Sequence, residues 1–345
     1  MRKHYWLIFG AALFLFITSL IPASIQAKTL NWRFNYSMPA GIPPSNGWEW
    51  FGKELEKRSG GGVKVTYFPF SALFHIREAV ENIEAGTAEF SNFSIRTHAK
   101  RFPLISVAML PTVTFPDTAK GAYAASMALK TLYDEFPEVK NEFKGVKPVW
   151  INMLAPYHIF SKKPIRVPGD LKGLKVGTGG IQRKMVSKSG GSSVAIIPPK
   201  AYLSLKTGVV DAMIMGWGAV AAFKTWEVSD YFLDYTVGSV PLPVIMSLEA
   251  WKAAPSNIKK LVEELSLEQL KVGCEGLYKS EARGRKLATE AGMKAVMTTP
   301  AERAQWKAVL DPLEAEWLSQ MKAGGITAAP KVLKRYKELA AEAAR

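Results

Sequence analysis

Leu30-Asn31-Trp32-Arg33-Phe34-Asn35-Tyr36 alternates in the manner of a strand with one buried face. Pro39-Ala40-Gly41-Ile42-Pro43-Pro44 then breaks the pattern, because proline brings no amide hydrogen to a ladder. Residues 47–57 read as an amphipathic helix closed by Arg58-Ser59-Gly60-Gly61-Gly62, and Val63-Lys64-Val65-Thr66-Tyr67-Phe68 is a second strand. Strand, helix and strand in that order make the first third α/β. Another helix is expected over residues 75–86, ending at Gly86.

A second α/β block follows. Pro148-Val149-Trp150-Ile151-Asn152-Met153 is an apolar strand. In Pro168-Gly169-Asp170-Leu171-Lys172-Gly173-Leu174-Lys175-Val176, Asp170 is expected to cap one helical turn that Gly173 ends, with a strand from Leu174 onward. A helix over 182–189, a strand over 194–197, a helix over 202–205 and a buried strand over 209–215 continue the alternation. From Ala254 the character changes. Ile258, Leu261, Val262, Leu265, Leu270 and Leu277 recur at helical spacing to beyond Leu287, far longer than an average helix and suited to brace two domains. Two more helices are expected over 301–322 and 331–344.

The whole chain has 345 residues, more than one core usually serves, which points to two domains. Hydrophobic residues at 48% and charged residues at 22% exclude a disordered chain. The single cysteine, Cys274, rules out an internal disulfide and a thiolate metal cluster, and reads as a small packed apolar residue. Met1-Arg2-Lys3-His4, the apolar run from Tyr5 to Ile17 and the small-residue end Ser24-Ile25-Gln26-Ala27 have the order of a secretory signal peptide over residues 1–27. The competing reading, a membrane anchor, needs ~20 uninterrupted apolar residues, and this run is shorter. No cysteine follows it to carry a lipid, so an exported, periplasmic and non-lipidated chain is expected. Its loss lowers the net charge from +15 to +13, spread along the chain rather than in runs, so nucleic acid is not an expected partner.

Histidines 75, 98 and 158 lie in separate segments without metal-ligand spacing, and no nucleophile elbow is present, so neither a metal site nor a catalytic constellation is expected. Gly177-Thr178-Gly179-Gly180 follows a strand but matches neither a dinucleotide fingerprint nor a P-loop, and no cofactor is expected. Trp150, Tyr157, Phe160, Trp217, Phe223, Trp226, Tyr231 and Tyr235 crowd the second block; each has a packing explanation, and as a set they suit the wall of an apolar cleft.

Across nearly all of its mature length the chain resembles the periplasmic solute-binding subunits of TRAP transporters. The carrying stretches are 51–61 with Val63-Lys64-Val65 and Phe68-Pro69, Glu84-Ala85-Gly86-Thr87-Ala88-Glu89-Phe90, residues 103–111, Lys163-Pro164-Ile165 with 168–176, and residues 201–212. Trp226-Glu227-Val228, Met246-Ser247 and Trp251 add to them. The resemblance implies two α/β domains joined by hinge strands and a long domain-spanning helix, closing over one small ligand. It places residues 28–153 and 240–285 in domain I and residues 154–239 and 286–345 in domain II. The implied role is a non-enzymatic, monomeric binding protein that hands an organic acid to membrane permease subunits. A secreted hydrolase using His158 and a ligand-sensing partner of a membrane receptor are the alternatives.

The family's carboxylate-binding arginine, after the strand of the Asp-Leu-Lys-Gly-Leu-Lys motif, corresponds to Gly177 here, a second arginine to Tyr157 and an asparagine to the neighbourhood of Met215. Polar anchors are thus replaced by apolar ones, implying a bulkier ligand, an aromatic acid or aromatic amino acid. The ligand-binding residues the resemblance implies are Phe34, Tyr36, Ser37, Phe74, His75, Asn92, Ser94, Tyr157, His158, Gly177, Met215, Trp217 and Trp226. Arg96 and Arg183 are cations able to replace the missing arginine, Arg183 being expected in solvent.

Overall fold

Alternating side chains sort the strands of this computed structural model, which describes residues 29–345, into two sheets; the expected signal segment lies outside the described residues. The first sheet has the order β2-β1-β3-β10-β4, from β1 (Leu30–Asn35), β2 (Val63–Phe68), β3 (Phe90–Asn92), β4 (Val146–Met153) and β10 (Pro241–Ser247). The second has the order β11-β9-β5-β8-β6-β7, from β5 (His158–Ser161), β6 (Lys175–Gly177), β7 (Ser192–Val194), β8 (Ala212–Met215), β9 (Tyr231–Leu233) and β11 (Lys294–Val296). β1 lies parallel to β2 and β3, whereas β10 is antiparallel to both β3 and β4. The fold is therefore α/β in two domains.

The period of two decides which core each side chain enters. Trp32 and Phe34 of β1, with Val244 and Met246 of β10, pack beneath the Pro43–Arg58 helix and the first half of the long helix. Ile245 points the other way, into a core with Phe93, Ile105 and Leu129. In the second domain Ile159 and Ile214 enter one core while Phe160, Met213 and Met215 enter the opposite one.

The chain passes between domains through residues 154–157 and 234–240, which run side by side: Leu154 N–H donates to Val240 O, Tyr157 N–H to Gly238 O and Val237 N–H to Tyr157 O. The helix Ser256–Glu290 has 35 residues, ~52 Å of length at 1.5 Å per residue. Ile258, Val262, Leu265 and Leu270 bury in the first domain and Ala288 in the second. It is the brace that its apolar periodicity suggests.

Several boundaries differ from the sequence reading. The first helix starts at Pro43, since two prolines in its first turn give up only amides that have no helical partner. Residues 75–86 divide into a 3-10 turn Ile76–Glu78, capped by His75 Nδ1, and a helix Ala79–Glu84. Asp170 acts from inside its turn, its carboxylate accepting the N–H groups of Arg166 and Val167. The expected helix 301–322 breaks before Pro312 into Pro300–Leu310 and Pro312–Ala323.

The assignment of 286–345 to domain II alone is corrected. Trp306, Leu310 and Leu313 pack in the second domain, but Ala329–Ala343 lies on the helix Ala119–Glu135 and buries Val332, Leu333, Tyr336 and Ala340 in the first.

Candidate functional site

The two domains leave a cleft beside the hinge, about 680 Å³ of empty space with its open mouth included. Met38 and Ile42 line it from the loop after β1, Arg96 from the short helix Ile95–His98 and Tyr157 from the hinge. Ile196, Met213, Met215 and Phe223 line it from the second domain, and Leu277 and Glu281 from the long helix. Apolar and thioether groups dominate, so a few polar groups decide orientation.

Arg96 is the cation of this cleft, and it crosses the domain boundary. Its side chain lies along the Gly179–Gly180 turn so closely that a Cβ on Gly179 would stand 3.2 Å from Arg96 Cδ, and one on Gly180 2.7 Å from Cγ. Gly180 also has φ +60°, where a side chain strains the backbone. Gly177-Thr178-Gly179-Gly180 is thus a seat for an arginine stem. None of the ion pairs among the described residues includes Arg96.

Glu281 faces the same space. Its Oε2 accepts Trp217 N–H at 2.8 Å and its Oε1 accepts Gly218 N–H at 2.7 Å, fastening the long helix to the helix Trp217–Phe223. Burial pushes the carboxyl up to about 7, against the lowering effect of the two N–H groups. The charges of Arg96 and Glu281 both act on the Tyr157 hydroxyl, whose pKa burial raises. Three polar groups therefore converge on one apolar space.

Glu142, in the first domain, is likewise pushed up, to about 8, by burial. An acid whose folded pKa is raised holds a proton that the unfolded chain has released. The stability that Glu281 and Glu142 contribute is complete below pH about 4.5 and is lost as pH rises through about 7 and 8. For these two groups a lower urea midpoint at pH 8.5 than at pH 6 is expected, with Glu142→Gln flattening the difference.

Of the residues expected to bind ligand, Tyr157 and Met215 line the cleft. Gly177 does not line it: a Cβ there would sit 2.0 Å from Met213 Sδ, so Met213 occupies the volume that a side chain at 177 would enter. The others are placed elsewhere. Phe34 and Tyr36 are fully buried among Trp48, Tyr67 and Phe90, and Tyr36 Oη donates to Glu49 Oε1. Phe74 enters the first-domain core, while His75 is exposed. Asn92 and Ser37 bond each other: Ser37 N–H donates to Asn92 Oδ1 and Asn92 Nδ2 to Ser37 Oγ. Ser94 O accepts from Thr97. His158 Nδ1 lies 3.0 Å from Leu233 O, its ring 5.7 Å from Trp217, and burial pushes its pKa down. Trp217 and Trp226 pack in or against the second-domain core. Aromatic rings in a sheet bury first for their area, and that physics outweighs their suitability as pocket walls here.

Met38, Ile196, Met213 and Glu281 were not expected. Only Glu281 had a signal: four residues after Leu277 and three before Gly284, it puts a charge beside the buried stripe of the long helix.

Two α/β domains joined by a double-crossing hinge, with a cleft between them, form the architecture of a hinged binding protein. The family model described as bacterial extracellular solute-binding protein, family 7 (DctP) matches residues 34–320, and the chain belongs to that family. It is a TRAP-type solute-binding protein. The C4-dicarboxylate-binding periplasmic protein DctP of Vibrio cholerae is 24% identical over 271 residues, 76% of this chain and 78% of that one. A TRAP solute-binding protein of Rhodoferax ferrireducens, in complex with copurified benzoate, has TM-score 0.84 at 20% identity and covers 92% of this chain and 99% of its own. One from Shewanella oneidensis with bound succinate has TM-score 0.76 at 18% identity, covering 90% and 99%. No helix among the described residues is long and apolar enough to cross a membrane.

Proposed function

We propose that this protein captures a small monocarboxylate with an apolar, aromatic body in the cleft between its domains and passes it to the membrane permease subunits of a TRAP transporter. Residues 1–27 act as the cleaved export signal, and the mature chain works in the periplasm by binding alone. The observation that carries the ligand class is one guanidinium, Arg96, in a cleft otherwise walled by Met38, Ile196, Met213, Met215 and Phe223. A planar fork pairs with one carboxylate; a second carboxylate would meet thioethers and lose its hydration without return. The benzoate-bound relative supports this reading and the succinate-bound one sets its rival. The hydrolase alternative has less support, because buried His158 meets the Leu233 carbonyl and the Trp217 ring, and among the described residues its side chain bonds no hydroxyl, thiol or carboxylate that a catalytic pair would need.

Thermal shift and calorimetry with benzoate, phenylacetate and succinate test the proposal. An aromatic acid at 100 times its Kd should stabilise the protein by about 2.7 kcal/mol, with succinate silent; tighter binding of succinate would overturn it. Gly177→Arg separates the same rivals. The new side chain displaces Met213 toward the cleft, so affinity for the aromatic acid should drop at least tenfold, whereas a dicarboxylate ligand would gain a partner.

A further inference from the structure

Glu281 places a second charged side chain in the cleft, and none of the ion pairs among the described residues includes it. Each Glu281 oxygen receives one main-chain N–H, from Trp217 and Gly218. A carboxylate offers about four lone-pair sites, so roughly two remain. Glycine borders the group on both sides: Cβ atoms at Gly216 and Gly218 would stand 3.2 and 2.8 Å from Oε1, and both glycines line the cleft. No side chain at these two positions screens the carboxylate from a ligand. The charged and titratable groups around it are Arg96, Tyr157, Tyr278 and Asp117, with Arg285 one turn further along the same helix, over the Trp217 ring and paired with Asp234; among the described residues Arg96 is the cation that lines the cleft.

An anion held by Arg96 enters a space that already contains this carboxylate. Like charges close together in an apolar-walled cleft repel, and lone pairs that a bound ligand covers lose water without a replacement donor. A hydroxyl on the ligand removes the second cost, and an ammonium removes both. Resting on the reading of the cleft as an aromatic-acid site, we propose that the ligand is an aromatic acid bearing a hydrogen-bond donor, a hydroxyl or an ammonium, near its carboxylate, with Arg96 taking the acid and Glu281 the donor.

Three acids on one skeleton test this: phenylacetate without a donor, mandelate with an α-hydroxyl and phenylglycine with an α-ammonium. Calorimetry at pH 7 should find mandelate or phenylglycine at least tenfold tighter than phenylacetate, and the tighter of the two identifies the donor. Glu281→Gln should reduce that ratio below threefold. Equal affinities in the wild type, or a ratio that survives the substitution, would overturn the proposal and leave the aromatic-acid reading standing. Failure of all three acids to bind at millimolar concentration would remove that reading and this one together. Should Glu281→Gln not fold, the wild type decides. With the carboxylate charged, phenylglycine gains and phenylacetate loses, so the phenylglycine-to-phenylacetate affinity ratio should rise at least threefold from pH 6 to pH 8; a flat or falling ratio overturns the proposal.

Discussion

Arg96→Ala should weaken binding of an aromatic acid such as benzoate on the order of a hundredfold, read by calorimetry, while the folded protein keeps its circular dichroism spectrum. Removing one partner of a desolvated, hydrogen-bonded charge pair costs ~2–5 kcal/mol, much of it from the anion left unpaired. Among the described residues no other cation lines the cleft. Arg96 also supplies the stem that rests on Gly179 and Gly180 across the domain boundary, so its loss removes a contact available only when the domains are together. Arg96→Lys should recover part of the loss, since an ammonium keeps the charge without the planar fork. Retention of wild-type affinity in Arg96→Ala would show that another group takes the carboxylate.

Gly284→Ala should be among the most destabilising single-methyl changes in the molecule. A Cβ at Gly284 would stand 2.0 Å from the main-chain oxygen of Trp217, where the long helix meets the helix Trp217–Phe223. A carbonyl cannot rotate away as a side chain can, so one helix must move relative to the other. Overpacking of this kind costs ~1–3 kcal/mol and occasionally more. Alanine regains about 1 kcal/mol of helix propensity, which is too little to compensate. The expected result is a Tm lower by up to roughly 3 °C. Ligand affinity should fall with it, because the displaced helix carries the Trp217 and Gly218 amides that hold Glu281. Gly276→Ala is the control: nothing lies within 4 Å of its Cβ position on the same helix, so there the propensity gain should stand alone and raise stability slightly. An unchanged Tm in Gly284→Ala would mean the two helices are not locked together.

Alternation made β1 and β2 readable, because only one periodicity buries Trp32, Phe34, Val63 and Val65 together. The brace helix was readable for a similar reason, its apolar repeat being too long for one domain. The second sheet was harder: β8 buries both faces, with Ile214 and Met215 in different cores, and such a run carries no face signal. The tail shows what amphipathicity leaves open. Val332, Leu333, Tyr336 and Ala340 announce a buried stripe, but a stripe does not say which domain will cover it. At the site, Arg96 sits in Ser94-Ile95-Arg96-Thr97, which matches no motif, and could be noticed only as an available cation. Phe34, Tyr36 and Trp217 had the composition of a ligand wall and the physics of a core, and burial decided.

The return of Ala329–Ala343 to the first domain has a consequence for the order of folding. Its partner helix, Ala119–Glu135, lies about 200 residues earlier, and Arg335 forms an ion pair with Glu135 across that separation. Contacts so distant along the chain form late, after the intervening loop has been closed. The domain that begins first in the chain is completed by the chain's last helix. Until residues 329–343 arrive, the core around Leu129 lacks Val332, Leu333 and Tyr336 and remains open to solvent.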